Sequence, residues 1–264
     1  MHRHLVLRLE APLAAFGGEA IDNLGVIRPF PAKSMIAGML ANALGLERYE
    51  YETLQALQDS LVMGSRIHWH RHCLRDFQTA ELSKSDQGWT TREQVEGRGG
   101  GSASYLGPHL RYRDYWTDTE ANVVLRLLPG SPWSIDEIEE ALQRPARPLF
   151  LGRKTCIPSV PIYDGDVRAR STFGALIALF QVGFQDADFS LQWPAFDADD
   201  HDRILLDHLR SSSAKRDSAA EEFHDARLEP VCDERNWTSG VHTGERLVRV
   251  VNFGQSTWES HDYN

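Results

Sequence analysis

Cysteine is scarce in this 264-residue chain: there are three, Cys73, Cys156 and Cys232, far apart and without CxxC spacing. That excludes a disulfide framework and points to free thiols in a reducing compartment, so the expected location is cytoplasmic. Long apolar runs are missing as well. The longest, Phe173 to Phe180, falls well short of the roughly 20 residues that cross a bilayer. The opening Met1-His2-Arg3-His4 leads into a strand-like segment rather than a signal-peptide hydrophobic stretch, and no membrane partner is expected. No Walker loop, nucleophile elbow, HExxH or paired-carboxylate motif occurs, which removes the familiar signatures of nucleotide-cleaving and hydrolytic enzymes. Gly97-Arg98-Gly99-Gly100-Gly101 neither follows a strand nor opens a helix, so it is no phosphate cradle. No catalytic residue, cofactor or metal site is expected.

Net positive charge is also absent. The formal balance is −10, which argues at first against a nucleic-acid partner. Its distribution changes that: residues 186–264 hold 17 acidic and 8 basic side chains, whereas residues 1–185 hold 21 and 20. The acidity belongs to the C-terminal third, and basic surfaces remain available elsewhere.

The periodicities that are present describe a compact core. His4 to Leu9 alternates as a strand and residues 16–31 read as a loop. Ala32 to Leu44 carries the apolar stripe of a half-buried helix, ended by Gly45. A second helix is expected over Tyr51 to Gln58, and a strand over Leu61 to Trp69. Residues 79–117 lack periodicity and read as an excursion. Asn122 to Leu128 is a strand, and Ser134 with Glu137 forms a capping box that opens a helix to about Gln143. Leu149 to Cys156 reads as the closing strand. This β-α(α)-β, insertion, β-α-β order is the doubled unit of an α+β, ferredoxin-like (RRM-like) core. Beyond residue 166 a helix or buried strand pair is expected over Ser171 to Phe184. A strand is expected over Leu247 to Phe253, with Phe180 to Phe184 as a candidate partner. The expected divisions are 1–78 and 118–165 for the two core halves, 79–117 for the insertion and 166–264 for an acidic C-terminal extension.

Four clusters are candidates for binding. At the start of the first helix, Arg28, Lys33 and Ser34 stand where unpaired N–H groups suit a phosphate. A lysine at that end is slightly unfavourable by itself, so an anion should compensate it; the plain alternative is an ordinary proline-started helix. Arg144, Arg147, Arg153 and Lys154 form a basic stretch around Gly152, suited to a phosphate backbone or, more plainly, to a solvated edge. Within the excursion, Lys84, Arg92, Arg98, Arg111 and Arg113 interleave with Trp89 and Tyr105, the composition that single-stranded nucleic acid asks for. Tyr112, Tyr115 and Trp116 read instead as core. Last, period 2 puts His68, His70 and His72 on one strand face, where they could hold zinc. No carboxylate or second cysteine stands nearby at ligand spacing, so a polar sheet face is preferred.

Several of these segments carry a resemblance. The opening strand, Phe30-Pro31-Ala32-Lys33-Ser34 with Gly38 and Leu44-Gly45-Leu46, then Leu74-Arg75-Asp76-Phe77-Gln78-Thr79, and Leu149-Phe150-Leu151-Gly152-Arg153-Lys154-Thr155-Cys156 occur in an order similar to that of the CasD family. Its members are RAMP-superfamily subunits of the type I-E CRISPR effector, Cascade. The resemblance covers about residues 1–165 and implies a ferredoxin-like RAMP core with a β-hairpin thumb. It also implies a non-catalytic role, gripping the crRNA 5′ handle and contacting the backbone RAMP subunits and the large subunit, with target DNA engaged through the complex. On that basis Arg28, Lys33, Ser34, Arg75, Trp89, Arg92, Tyr105, Arg111, Arg153 and Lys154 are the expected RNA-binding residues. Type I-C relatives cut pre-crRNA without metal; Tyr49, Lys33 and the histidines at 68–72 could supply such a trio here.

Overall fold

The computed structural model describes residues 1–21, 23–81, 88–89, 95–96, 108–179, 189–194, 227–242 and 246–253. Strand β1 runs over His2–Ala14, followed by a hairpin of β2 (Gly17–Ile21) and β3 (Leu24–Ile27), helices α1 (Lys33–Leu44) and α2 (Tyr51–Ser60), and strand β4 (Leu61–Trp69). Strand β5 (Cys73–Ala80) and the short β6 (Gly88–Trp89) and β7 (Val95–Glu96) precede the long β8 (His109–Leu127). The chain continues through α3 (Ile135–Gln143), β9 (Tyr163–Ala169), α4 (Thr172–Ala178), β10 (Phe189–Pro194), β11 (Arg227–Val231) and β12 (Arg246–Phe253).

Ten of these strands form one sheet whose main path is β11-β12-β10-β4-β8-β1-β9, all neighbours antiparallel. Alternation along the central strands divides the two faces. Leu5, Leu7 and Leu9 of β1, with Val123 and Leu125 of β8 and Met63 of β4, pack against Ile36, Leu40, Leu54, Leu57 and Ile138 of α1, α2 and α3. Val6 and Val124 face the other way, onto Phe173 and Leu176 of α4. Helix α1 ends as its sequence demands. Gly45 takes a left-handed φ of 78° and returns its N–H to the helix carbonyls, while Arg147 donates to the Gly45 and Leu46 carbonyls and pairs with Glu47. Helix α3 opens on the Ser134–Glu137 capping box.

Strand β8 belongs to two neighbourhoods. Its second half lies between β1 and β4; its first half leaves them and pairs with β5 on one edge and, in parallel, with β3 on the other. The change occurs at Asp118, whose φ is 44°, a left-handed conformation that aspartate tolerates better than most residues. Across from it stands Pro12, which has no N–H to offer, and the β1–β8 ladder skips this pair between Ala11–Thr119 and Leu13–Thr117. The result is an arm in which β5 is largely exposed while the start of β8 passes from exposed at His109 to buried at Asp114 and Tyr115.

The structure revises four readings and decides a fifth, over Ser171 to Phe184, between its two alternatives. Residues 16–31 are not a plain loop but contain the β2–β3 hairpin. Leu149 to Cys156 is a turn rather than a strand: Gly152 has a φ of 95°, and a Cβ there would collide with the Ala15 carbonyl. The strand that closes the β-α-β unit is β9 instead, beside β1. The boundary placed at 117/118 falls inside β8. Ser171 caps a single helix, α4, while residues 180–184 lie outside the described residues. Finally, β10, β11 and β12 continue the main sheet, and β12 pairs with β10 and β11, so the described part of 166–264 is built into the core layer rather than appended to it. Among the described residues no helix is long and apolar enough to cross a membrane.

Candidate nucleic-acid interface

The ten residues singled out by sequence separate into two groups and a remainder. Arg28, Lys33 and Ser34 converge on the start of α1, but the anion waiting there is the protein's own. The Lys33 N–H donates to Asp233 Oδ2 at 3.0 Å and the Ser34 N–H to the Asp233 carbonyl at 2.9 Å. Asp233 is fully buried and takes both Nε and Nη2 of Arg246 at 2.7 Å. Lys33 Nζ pairs with Glu234 at 2.7 Å, Arg28 donates to the Cys232 carbonyl at 2.8 Å, and Ser34 Oγ meets His242 Nε2 at 3.2 Å. Gln58 holds the main chain of Arg235 through both its amide atoms, and the Trp237 indole rests beside Gly38 with its N–H on Gln58. Residues 231–242, with Arg246, thus clasp the two helices. The helix dipole and the lysine find their counter-charge inside the fold, so this corner offers little to an outside phosphate.

The second group lies where the arm leaves the sheet. In the β5–β8 ladder Arg75 stands opposite Asp114, and its guanidinium grips that carboxylate with two bonds, 2.7 and 2.9 Å. On the other face of β8, Tyr115, Arg113, Arg111 and His109 follow one another at alternate positions. Arg153 lies over the Tyr115 ring, 4.7 Å from its centroid, and donates to the carbonyls of Asp114 at 2.7 Å and Gly25 at 2.8 Å. Thr155 reaches the Tyr115 hydroxyl at 3.5 Å, which fixes the 152–155 turn against the arm and leaves Lys154 exposed beside it. Among the described residues neither Lys154 nor Arg113 has an ion-pair partner, and Arg111 makes only a 3.3 Å bond to its neighbour's carbonyl. Asp76, across from Arg113, accepts from Gln78 instead. The arm root therefore presents Arg111, Arg113, Arg153 and Lys154, with two carboxylates beside them, Asp114 held by Arg75 and Asp76 bonded to Gln78.

Of the rest, Arg92 and Tyr105, with Lys84 and Arg98, lie outside the described residues, and of Trp89 only its backbone place in the β6–β7 ladder is described. Arg147 serves the end of α1, and Arg144 is exposed. Tyr115 is buried as expected of a core residue, whereas Tyr112 packs against Phe77 on the arm. The three histidines do not share a face, because the β4–β8 register shifts between Ile67 and Trp69. His68 bonds Asn122 at 2.6 Å on the α4 side. His70 stacks on Trp116 at 4.6 Å, edges onto Phe16 and bonds Thr119 and the Pro29 carbonyl. Burial lowers the pKa of each to about 4. His72 is exposed. Among the described residues no group of three His, Cys, Asp or Glu is placed to hold a metal.

Sequence reasoning missed Asp114 as the hub of the arm root and Asp233 as the cap of α1. The first had a signal, since Arg111-Tyr112-Arg113-Asp114-Tyr115 alternates as a strand does. The second had none, because Asp233 and Lys33 are 200 positions apart.

Known proteins share this arrangement of elements. The family model described as CRISPR-associated protein (Cas_Cas5) matches residues 4–249. The CRISPR system Cascade subunit CasD of Escherichia coli (strain K12) is 28% identical over 192 residues, 69% of this chain and 80% of that protein. Among solved structures, a chain of a CRISPR RNA-guided surveillance complex covers 94% of this chain and is covered to 89%, with a TM-score of 0.56 at 17% identity. A Cas protein crystal structure covers 95% and is covered to 93%, with a TM-score of 0.52 at 21% identity. At these identities the structural likeness is one of fold.

Proposed function

The chain belongs to the CRISPR-associated Cas5 family, and from that premise we propose that it is a non-catalytic, crRNA-binding subunit of a type I-E-like Cascade complex, holding the 5′ handle of the crRNA and contacting the neighbouring subunits. The observation that carries this reading is the basic root of the arm: four cationic side chains gathered on one surface of a chain whose overall balance is −10. Such a surface suits a phosphate backbone, and the arm beside it suits the thumb of a RAMP protein. The antiparallel order β4-β8-β1-β9, with α1 and α2 between β1 and β4 and α3 between β8 and β9, supports a ferredoxin-like core. The RNA-binding residues best supported are Arg111, Arg153 and Lys154, with Arg75 holding the strand pair in place. Arg28, Lys33 and Ser34 serve the clasp.

For the alternative of a metal-independent endoribonuclease, Tyr49, Lys33 and the histidines at 68–72 are the residues that could supply an acid–base trio. Tyr49 is exposed ahead of α2, Lys33 is paired with Glu234, and His68 and His70 bond on different sides of the sheet. Co-expression with the other Cascade subunits and a repeat array, followed by extraction of co-purifying RNA, tests the proposal. Wild-type protein should retain crRNA, and Arg111→Glu with Lys154→Glu should lose most of it while the protein stays folded. Specific cutting of labelled repeat RNA by the purified chain in EDTA would overturn the non-catalytic reading.

A further inference from the structure

The point where β3 passes the arm is occupied by glycine for reasons of charge rather than backbone conformation. Gly25 does not adopt a positive φ, so an alanine meets no conformational objection there. What it would meet is two arginines. A Cβ built on Gly25 stands 2.7 Å from Nη1 of Arg113 and 2.9 Å from Nη2 of Arg153. The two guanidinium groups therefore crowd over one residue with no carboxylate between them. Neither nearby carboxylate forms an ion pair with them: Asp114 is gripped by Arg75 on the opposite face of β8, and Asp76, across the ladder from Arg113, accepts from the neutral amide of Gln78. Arg153 cannot retreat, because it is pinned on the Tyr115 ring and on two carbonyls. Arg113 is half-buried, with its donors unengaged among the described residues. Two like charges this close repel each other unless an anion is shared between them, and paired planar forks are the arrangement that grips phosphate oxygens in a bidentate manner.

We propose that Gly25, Arg113 and Arg153 form a seat for a single backbone phosphate of a bound RNA strand, with Gly25 acting as the residue that lets the two guanidinium groups meet. This rests on the crRNA-binding reading above and deepens it to one phosphate contact. Arg111 and the exposed Lys154 flank the seat and serve the neighbouring phosphates. A Cβ at Gly25 would meet the pinned Arg153 as well as the mobile end of Arg113, so Gly25→Ala pushes Arg113 away and strains the bonds of Arg153, whereas Arg113→Gln removes one fork that supports no other part of the described structure.

The experiment uses the full chain in its complex and a repeat-derived RNA in which one phosphate at a time is replaced by an uncharged methylphosphonate. Wild-type protein should lose roughly tenfold in affinity at one position, as expected for one charge-assisted contact. Gly25→Ala and Arg113→Gln should each lose a similar factor with unmodified RNA, lose nothing further at that same position, and show a shallower salt dependence by about 0.7 in the log–log slope. The melting temperature of Arg113→Gln should match the wild type, so that its loss of RNA is not a loss of fold. If wild-type protein binds RNA and both variants bind it equally well at every methylphosphonate position, the seat is refuted while the parent reading stands. If wild-type protein holds no RNA at all, both fall.

Discussion

Two corners of the molecule carry the basic residues that sequence would assign to RNA, and they behave in opposite ways. At the start of α1 the charges are answered from within, Lys33 by Glu234 and the helix N–H groups by Asp233, with Arg28 tied to the Cys232 carbonyl. At the root of the arm Arg111, Arg113 and Lys154 have no ion-pair partner among the described residues, and Arg153 spends its bonds on carbonyls that do not neutralise it. A charged side chain is available to a ligand only when the fold has not already given it a partner, and that is a property of the surroundings rather than of the residue.

The largest effect should come from breaking the clasp. Asp233→Ala leaves Arg246 nearly buried without its carboxylate and uncaps α1, which should cost about 3–5 kcal/mol. Urea unfolding would measure this, and crRNA retention by whatever remains folded should be unchanged.

A second test loosens the joint between the two corners. His70 ties Trp116 at the arm root to the Pro29 carbonyl ahead of α1, and His68 holds Asn122. Both are kept neutral by burial, with pKa about 4 against an ordinary 6.5. The unfolded chain takes up these protons first. The stability they contribute is complete above about pH 6.5 and drains away as the pH falls toward 4, on the order of 3 kcal/mol for each histidine. Chemical unfolding followed between pH 7.5 and 4.5 should show it, and His70→Gln should flatten the curve. An unchanged midpoint across that range would contradict the burial argument.

At the arm, Arg111→Glu with Lys154→Glu should weaken RNA binding by about 10- to 100-fold, by analogy with other lost phosphate contacts, while leaving the unfolding midpoint in place. The smallest effect is expected from Lys33→Ala. It should cost about 1 kcal/mol of stability at most, the scale of a partly exposed ion pair, and nothing in RNA affinity. A large loss of RNA from Lys33→Ala together with none from the arm variants would reverse the comparison.

Much of the core could be read from local pattern. The boundaries of β4 and the capping box of α3 agree with the expectations, and α1 ends at Gly45 as its periodic stripe suggests. In each case the determining interactions lie within a few residues, so period, cap and stop signal suffice. The closing strand was misplaced because Leu149 to Leu151 looks as apolar as a strand should. Only the close approach of Ala15 to Gly152 turns the chain there and delays the strand to β9. The arm escaped for a different reason. The residues of β5 are largely exposed on both faces, so no inside–outside alternation announces it, and Asp118 bends β8 at a position whose sequence carries no turn signal.

By itself the sequence determined the elements whose stability is local, the helices with their caps and the strands with one apolar face, together with the absence of any metal or nucleophile signature. Tertiary structure alone decided which charges are spent. Asp233 reaches Lys33, and Arg113 meets Arg153, across separations that no sequence period records. Electrostatic pairing depends on distance in space and on the burial of both partners, and neither exists until the sheet has brought its distant edges together.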